Sequence, residues 1–329
     1  MKNKPRLIII DPVKGPGRSF VRHFLSSLEP DFDIELEEWS PLSHVEAAFE
    51  RADVVWIDWA SEHAAQAATL NKTFCKPLLV RLHSFEALEG DWIARIDWTQ
   101  VSVCVAVGSR ILSIAMEQSG ALAKSRTLVI PNGIDMERFM PRRLPARTAR
   151  RVAWVGDITP KKSPLLALQI FAEYIECDPK ASLHVAGEWK HFRTRLAVED
   201  FVEKAGLRDR VRFDGHVSDM PGWLGDKDVL LSTSIFESFG YAIGEAMASG
   251  LDVVAMQYPG AEQTWPAEIL STTIGEALIK LGQSHAGRWR DVVGRAYPLQ
   301  AQQQAVRQLL QEFTQNLSAP DEKIPLSKV

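Results

Sequence analysis

Two glutamates are the residues of this sequence whose type and spacing most directly suggest chemistry. Glu237 and Glu245 lie on either side of Gly240 in the stretch "ESFGYAIGEAMASG". The apolar residues after Gly240 repeat with a helical period up to Gly250, which predicts a helix that begins near Gly240. The start of a helix attracts anions, most naturally phosphate, because its first N–H groups and its dipole point outward. We therefore expect a diphosphate here, with one glutamate binding a sugar and the other a nucleoside ribose.

The elements that must position these residues are short apolar runs that alternate with helical stretches. The runs lie at 6–10, 52–57, 77–82, 103–107 and 127–130, and again at 151–156, 182–187, 211–213, 228–232 and 252–256. Continuous apolar strands separated by helices are typical of parallel sheets that are covered on both faces. Such sheets bind ligands beyond the carboxyl ends of their strands. The residues that follow the runs are therefore the candidates for a site.

The repetition of this pattern predicts two doubly wound α/β domains. A chain of 329 residues is longer than one hydrophobic core usually holds. The stretch "MPRRLPARTAR" at 140–150, rich in proline and arginine, is the candidate linker. We place the domains at 1–142 and 143–300. Residues 301–329 are a C-terminal helix and tail. The helix is a candidate for packing against the first domain, and the last residues are candidates for fraying.

Composition excludes several classes of function. The formal net charge of −4 and the lack of a basic stripe argue against a nucleic-acid binder. No run approaches the 18 apolar residues of a membrane span, so we expect a cytoplasmic protein, with peripheral association at the inner face of the membrane left open. Three cysteines without a close pair suggest neither disulfides nor a zinc site, and we interpret them as small buried hydrophobic residues.

Four stretches together resemble the retaining glycosyltransferases of family 4, and in particular bacterial surface-polysaccharide transferases. They are "VIPNGIDMERF" (129–139), "VAWVGDITPKKSPLLALQIF" (152–171), "FDGHVSDMPGWLGDKDVLLSTSIFES" (213–238) and "ESFGYAIGEAMASG" (237–250). The resemblance is specific across about 129–255 and weaker elsewhere. It implies the GT-B fold, in which two Rossmann-like domains with parallel sheets face each other across a cleft and the second binds a nucleotide-sugar.

The resemblance also implies roles for residues of the second domain. Glu245 is expected to bind the donor ribose, and Glu237 to contact the transferred sugar near its reacting face as a catalytic residue. The diphosphate is expected to be bound chiefly by Lys162, with Lys161 as a possible helper, because Asp157 stands where the family commonly has an arginine. The other expected donor-binding residues are Gly156, Phe239, Gly240 and Tyr241, with Gly15 and Gly17 of the first domain.

The first domain contributes "RLHSFEAL", which follows a predicted buried strand. By resemblance, His83 is a catalytic residue that contacts the donor sugar near its anomeric carbon, and Arg81 and Glu86 are candidates for binding the acceptor. A hydrogen-bonded structural histidine is an equally good interpretation of His83 from the sequence alone. Likewise, Lys162 without the resemblance is an ordinary exposed lysine before a helix.

The resemblance implies that a hexose moves from a nucleotide-diphosphate sugar to a hydroxyl of a saccharide or lipid-linked acceptor, with retention, in the assembly of a surface polysaccharide. No cofactor and no metal are expected. The Asp-x-Asp triplets at 31–33 and 226–228 are discounted as metal sites, because the first precedes a predicted strand and Asp228 begins a buried one. Another GT-B enzyme, such as a nucleotide-sugar epimerase, and a non-catalytic GT-B subunit remain alternatives. The sequence does not indicate the donor base, the sugar, the acceptor or the oligomeric state.

Overall fold

The chain forms two compact units in a computed structural model that describes residues 4–12, 20–141, 150–284 and 287–317. The first unit comprises Met1–Pro131 and Gln300–Val329, and the second comprises Asn132–Leu299. The predicted loop glycines Gly15 and Gly17 lie outside the described residues.

A parallel sheet forms the centre of the first unit, and six strands of it lie in the described residues. They are β1 (Arg6–Asp11), β2 (Asp33–Glu38), β3 (Val54–Asp58), β4 (Leu78–Leu82), β5 (Val103–Ala106) and β6 (Thr127–Val129). The spatial order is β2-β1-β3-β4-β5-β6. The chain pairs β2 on one side of β1 and β3 on the other. The order of strands therefore reverses at β1, and the carboxyl ends of β1 and β3 are the expected place for a ligand.

Helices follow the strands and cover the sheet of the first unit. They are α1 (Arg22–Leu28), α2 (His44–Arg51), α3 (Glu62–Phe74), α4 (Ser84–Leu88), α5 (Trp92–Arg95) and α6 (Ser109–Gln118). Phe24 and Leu28 of α1 belong to the same buried cluster as Ile9 and Trp56 of the sheet. Each such side chain contributes about 1.5–3 kcal/mol when it is fully buried, so these contacts hold α1 against the strands.

The second unit repeats the arrangement, again with six parallel strands in the described residues. They are β7 (Arg151–Val155), β8 (Ser182–Ala186), β9 (Val211–Gly215), β10 (Val229–Ser232), β11 (Asp252–Met256) and β12 (Leu270–Ser271). The spatial order is β12-β11-β10-β7-β8-β9. Here β8 and β10 flank β7. The reversal of strand order therefore lies between β7 and β10.

Helices also cover this second sheet, and one more helix returns to the first unit. The helices of the second unit are α7 (Pro164–Tyr174), α8 (Phe192–Lys204), α9 (Met220–Leu224), α10 (Tyr241–Ala248), α11 (Ile274–Leu281) and α12 (Arg288–Ala296). The last helix, α13 (Leu299–Leu317), places Val306, Leu310 and Phe313 in the core of the first unit. Its Arg307 also pairs with Asp31 at 2.5 Å.

The boundary between the units differs from the sequence prediction. We predicted a boundary after residue 142, whereas the second unit begins at Asn132. Ile134 explains the difference, since it is buried and its backbone pairs with the chain around Pro298. Arg290 of α12 also donates to the carbonyl of Phe139 at 2.5 Å. The proline- and arginine-rich composition of 140–150 misled the prediction, because composition carries no information on these contacts.

Two smaller expectations can be compared with the structure. No helix in the described ranges combines the length and the hydropathy that crossing a membrane requires. Cys104 is buried as expected, but Cys75 and Cys177 are exposed, so our interpretation of all three as buried was wrong. Cys75 follows the last turn of α3 with a positive φ of 50°, and a position at a helix end has little around it to pack against.

Candidate functional site

A lysine and a glutamate meet at the carboxyl edge of the second sheet, where the order of strands reverses. Lys162 ends a short 3-10 turn, Pro160–Lys162, that follows β7, and Glu237 lies in the loop between β10 and α10. The Lys162 Nζ is 2.5 Å from the Glu237 Oε1, although the residues are 75 positions apart in sequence. The side chains are 23% and 12% exposed, respectively. The fold therefore brings together two of the predicted site residues.

The two loops that carry this ion pair are fixed to each other by hydrogen bonds. The Thr233 hydroxyl lies 2.9 Å from the Lys162 carbonyl oxygen and accepts a hydrogen bond from the Trp154 indole at 3.0 Å. The Ile235 amide donates to the Lys161 carbonyl at 2.9 Å. Sequence reasoning missed both residues: Thr233 is a polar residue directly after the buried strand β10, whereas Trp154 lies within β7 and gives no such signal.

Glycine lets the Lys162 side chain lie across the end of β7. Gly156 has a φ of 146°, and a Cβ there would lie 3.0 Å from the Lys162 Cε. Gly187, at the end of β8, has a φ of 153°, and a Cβ there would lie only 1.9 Å from the Gly156 carbonyl oxygen. The predicted Gly156 is thus in the site, and Gly187 is a second glycine that the close approach of two strand ends requires.

The electrostatics of the pair favour its ionised form. Burial opposes ionisation of Glu237, but the ammonium groups of Lys162 and Lys161 outweigh burial and hold the pKa of Glu237 below its usual value. An anionic carboxylate can accept hydrogen bonds from sugar hydroxyls, and a lysine ammonium can bind phosphate oxygens. The arrangement therefore suits a ligand that carries both groups.

The helix α10 begins beside Glu237, as the sequence predicted. Gly240 is its N-cap residue and has a φ of 91°. A Cβ at Gly240 would lie 3.7 Å from the Glu237 Cγ. The first turn of a helix presents N–H groups that its own carbonyls do not satisfy, and it favours anions. The ion pair and the helix start therefore form one candidate anion site, which lies within the second unit.

Phe239 has a different place from the one predicted. We expected it to contact the donor, but its side chain is 2% exposed and belongs to a core cluster. Its ring lies 5.1 Å from those of Trp265 and Tyr297 and 5.6 Å from that of Tyr241. The Trp265 indole also donates to the Phe239 carbonyl at 3.0 Å. Phe239 therefore anchors the loop, because the turn at Gly240 directs its ring inward, while Tyr241 is partly buried at the start of α10.

Glu245 lies on α10, one turn beyond its start, and is partly buried. Burial raises the pKa of its carboxyl to about 7, and the charge of Arg138 opposes this shift. Its carboxylate forms no hydrogen bond or ion pair with another residue that the structure describes. Hydroxyl groups of a ligand can therefore bind to it without displacing a protein partner.

The predicted residues of the first unit form a separate buried cluster. Arg81, His83 and Glu86 are 2%, 3% and 0% exposed. They surround Asp58, the last residue of β3, whose Oδ1 lies 3.4 Å from the Arg81 Nη1 and 3.6 Å from the His83 Nε2. Sequence reasoning missed Asp58. Arg81 and Glu86 were predicted to bind an acceptor, but both are enclosed in this structure, which does not present them to solvent.

Glu86 and its neighbour Asp58 have pKa values that are shifted in opposite directions. Burial, with a smaller contribution from Asp58, raises the pKa of Glu86 to about 8. Neither carboxyl oxygen has a hydrogen-bond partner that meets normal geometry among the described residues. At neutral pH this raised pKa favours the protonated form of Glu86.

The acidic triplets are engaged in contacts with cations. Asp31 pairs with Arg307. Asp226 pairs with the Arg151 side chain, and Asp228 accepts a hydrogen bond from the Arg151 amide. Within the described ranges, no group of three His, Cys, Asp or Glu residues is placed to hold a metal ion. The expectation that the protein needs no cofactor stays a prediction.

Comparison with known proteins connects the second unit to one family. Residues 149–277 match the family described as glycosyl transferases group 1. The lipopolysaccharide core biosynthesis mannosyltransferase LpsB of Rhizobium meliloti is 31% identical over 138 residues, which cover 39% of this chain and 39% of that protein. The D-inositol 3-phosphate glycosyltransferase of Geodermatophilus obscurus is 34% identical over 151 residues, 41% of this chain and 34% of that protein. In both comparisons, the matched part of this chain spans less than half the length of the curated relative.

The fold of the whole chain also has solved counterparts. The Anabaena protein HepE, solved in complex with UDP and glucose, has a TM-score of 0.77 at 16% sequence identity, over 93% of this chain and 99% of that one. This likeness confirms the predicted GT-B fold with its two parallel sheets. The family match to residues 149–277 lies within the second unit of this fold.

Proposed function

We propose that this protein is a retaining glycosyltransferase that moves a hexose from a nucleoside-diphosphate sugar to a hydroxyl of a saccharide or lipid-linked acceptor. The observation that carries the proposal is the ion pair of Lys162 and Glu237 beside the start of α10. These groups lie at the reversal of strand order, where open parallel sheets bind nucleotides, and within a family match to glycosyl transferases.

The chemistry of the proposed reaction follows from the charges at this site. When the bond to the sugar breaks, negative charge grows on the leaving diphosphate. Lys162 and the N–H groups of α10 would stabilise that charge, since both are in place before the reaction. Glu237 would accept hydrogen bonds from the transferred sugar, and Glu245 from the ribose. His83 remains the predicted catalytic residue of the first unit.

Retention, independence from metal ions and location are further parts of the proposal. The site offers a cation and a helix start for the leaving group, so we propose that activity survives an excess of chelator. The transferred sugar should keep its anomeric configuration, which NMR of the product determines. A lipid-linked acceptor would require peripheral association with the inner face of the membrane, which sedimentation with anionic vesicles tests.

The experiment that tests the function is a binding screen followed by a transfer assay. Each of UDP, GDP and ADP, free and with hexoses attached, is titrated against the full chain by thermal shift, because a ligand of the folded state stabilises it by mass action. The stabilising donor is then incubated with candidate saccharide acceptors, and transfer is measured by mass spectrometry. Failure of every nucleotide to bind would refute the proposal. Binding without transfer or hydrolysis for any acceptor would instead favour a non-catalytic subunit.

A further inference from the structure

We propose that Asp58 is a positioning residue that holds the His83 imidazole in the Nε2–H tautomer, so that Nδ1 is the ring nitrogen with the free lone pair. The proposal rests on the proposed function at one point only, namely that a substrate hydroxyl binds to Nδ1. It concerns residues of the first unit alone.

Asp58 can act only through its neighbours. It ends β3, it lies opposite Arg81 in the register of β3 and β4, and it is 0% exposed. Its Oδ1 faces both Arg81 and His83, at 3.4 Å and 3.6 Å. Burial opposes ionisation of Asp58, but these two partners outweigh it and keep the pKa of Asp58 below its usual value. A buried carboxylate ion therefore stands beside the imidazole.

The imidazole itself is neutral. Burial lowers the pKa of His83, and Arg81 lowers it further, while Asp58 opposes both. A neutral imidazole has one N–H, and the group that faces each nitrogen decides where this proton lies. Nε2 faces the Asp58 carboxylate and has no other partner among the described residues. A proton on Nε2 is attracted to that carboxylate, whereas a lone pair there would be repelled.

Two aromatic rings that pack on the imidazole hinder its rotation about the Cβ–Cγ bond. The Trp59 ring stacks on His83 with centroids 4.2 Å apart and planes at 24°, and Phe20 lies 5.5 Å away at 26°. Trp59 has a φ of 84°, a conformation that costs a bulky residue about 1–3 kcal/mol. The chain accepts this strain at the residue that packs on His83, which is typical of a functional site.

The consequence is a defined chemical role for His83. With its proton held towards Asp58, the ring offers an acceptor at Nδ1 and has no proton to donate from that atom. His83 would therefore accept a hydrogen bond from a substrate hydroxyl and would not act as a general acid through Nδ1. Glu86 is also buried in this cluster, and its raised pKa favours the neutral form, so the negative charge that faces the His83 ring is that of Asp58.

The direct test is the tautomer of His83 in the unaltered full chain. Long-range 15N–1H NMR of the histidine-labelled protein distinguishes a protonated from an unprotonated ring nitrogen, and the signals of His83 are those lost in His83→Gln. We expect Nε2 to be protonated and Nδ1 unprotonated. A protonated Nδ1, or a mixture of the two forms, would overturn the proposal. This measurement needs no activity, so it stands even if no sugar is transferred.

A double variant tests the cause. Removing Asp58 alone would take one acceptor from the buried Arg81 charge, which destabilises, whereas replacing both partners by apolar residues is often tolerated. We expect Asp58→Leu/Arg81→Met to lose the Nε2–H preference and to give a mixture of tautomers. An unchanged tautomer in the folded double variant would remove Asp58 from the role.

The activity test compares two buried aspartates, each of which pairs with an arginine. Asp58→Asn is expected to lower kcat at least tenfold while the affinity for the nucleoside diphosphate stays the same, because the donor nucleotide is bound by the second unit. Asp252→Asn is the matched control, since Asp252 is also buried and pairs with Arg150 at 3.0 Å. It should lower the melting temperature and leave kcat unchanged. An equal kcat for Asp58→Asn and the unaltered chain would contradict the positioning role.

Discussion

Replacing Glu237 by glutamine is expected to tighten the binding of a nucleoside diphosphate while it slows turnover. The Lys162 ammonium is paired with the Glu237 carboxylate. A diphosphate that binds Lys162 must therefore compete with Glu237 for the same cation. The amide of the Glu237→Gln variant would be a weaker competitor because it has no charge, and it would not repel the phosphate oxygens.

The size of the gain follows from the exposure of the pair. Exposed ion pairs are worth about 0–1 kcal/mol, and the side chains here are only 23% and 12% exposed, which places the pair near the upper end. About 1 kcal/mol corresponds to roughly fivefold tighter binding. Turnover should fall about ten- to a hundredfold, since a hydrogen bond to a charged group contributes about 1.5–3 kcal/mol.

Calorimetry with the nucleoside diphosphate and with the free nucleoside measures these effects. Lys162→Ala should weaken the diphosphate about ten- to a hundredfold and leave the nucleoside unaffected. Lys161→Ala is the control: its charge acts on Glu237 only from a distance, so it should cost much less. The reasoning would be refuted if Glu237→Gln weakened the diphosphate, or if the two lysine variants lost affinity equally.

Three further outcomes are expected. Glu245→Ala should weaken the nucleoside and its diphosphate by a similar factor of about ten, and unchanged calorimetry would remove the ribose role. Arg290→Ala should lower the free energy of unfolding, measured in urea, by about 2–4 kcal/mol, because the Arg290 guanidinium donates to the Phe139 carbonyl and to other backbone carbonyls. Arg288→Ala is the control and should have little effect, because Arg288 is exposed. Glu86→Gln should remove a pH dependence of stability. The folded chain keeps the Glu86 proton up to pH about 8, whereas the unfolded chain releases it near its ordinary pKa of 4.5, so the stability of the unaltered protein falls between these values as pH rises. If the melting temperatures of the variant and the unaltered protein change in parallel across this range, Glu86 is not a buried acid.

The sheets could be predicted because buried parallel strands are continuous apolar runs, as in β1 and β7. The exceptions have physical causes. β2 is an edge strand with the sequence "DIELEE", whose carboxylates are stabilised by partners such as Arg51, so it contains no continuous apolar run. β12 has two residues, too few for any periodic signal.

The site was predicted in part, for reasons that individual residues make clear. The types of Lys162 and Glu237 followed from the resemblance, but their pairing depends on the adjacency of β7 and β10, which local sequence does not encode. Phe239 was predicted from the motif alone, which does not show that its side chain packs in the core of the second unit. Asp58 gave no signal, since one aspartate after a strand is common and its meaning depends on the residues that β4 places beside it.

The return of α13 to the first unit has a consequence for biosynthesis. The second unit is continuous from Asn132 to Leu299, whereas the first unit needs residues from both sides of it. A ribosome adds about 5–20 residues per second, and units fold as their residues emerge. The second unit can therefore fold while α13, which supplies Phe313 to the core of the first unit, is still being made. Although its sheet is synthesised first, the first unit would then be the last to finish folding. Until then, the apolar surface that α13 covers would be exposed, and nascent-chain chaperones would bind there.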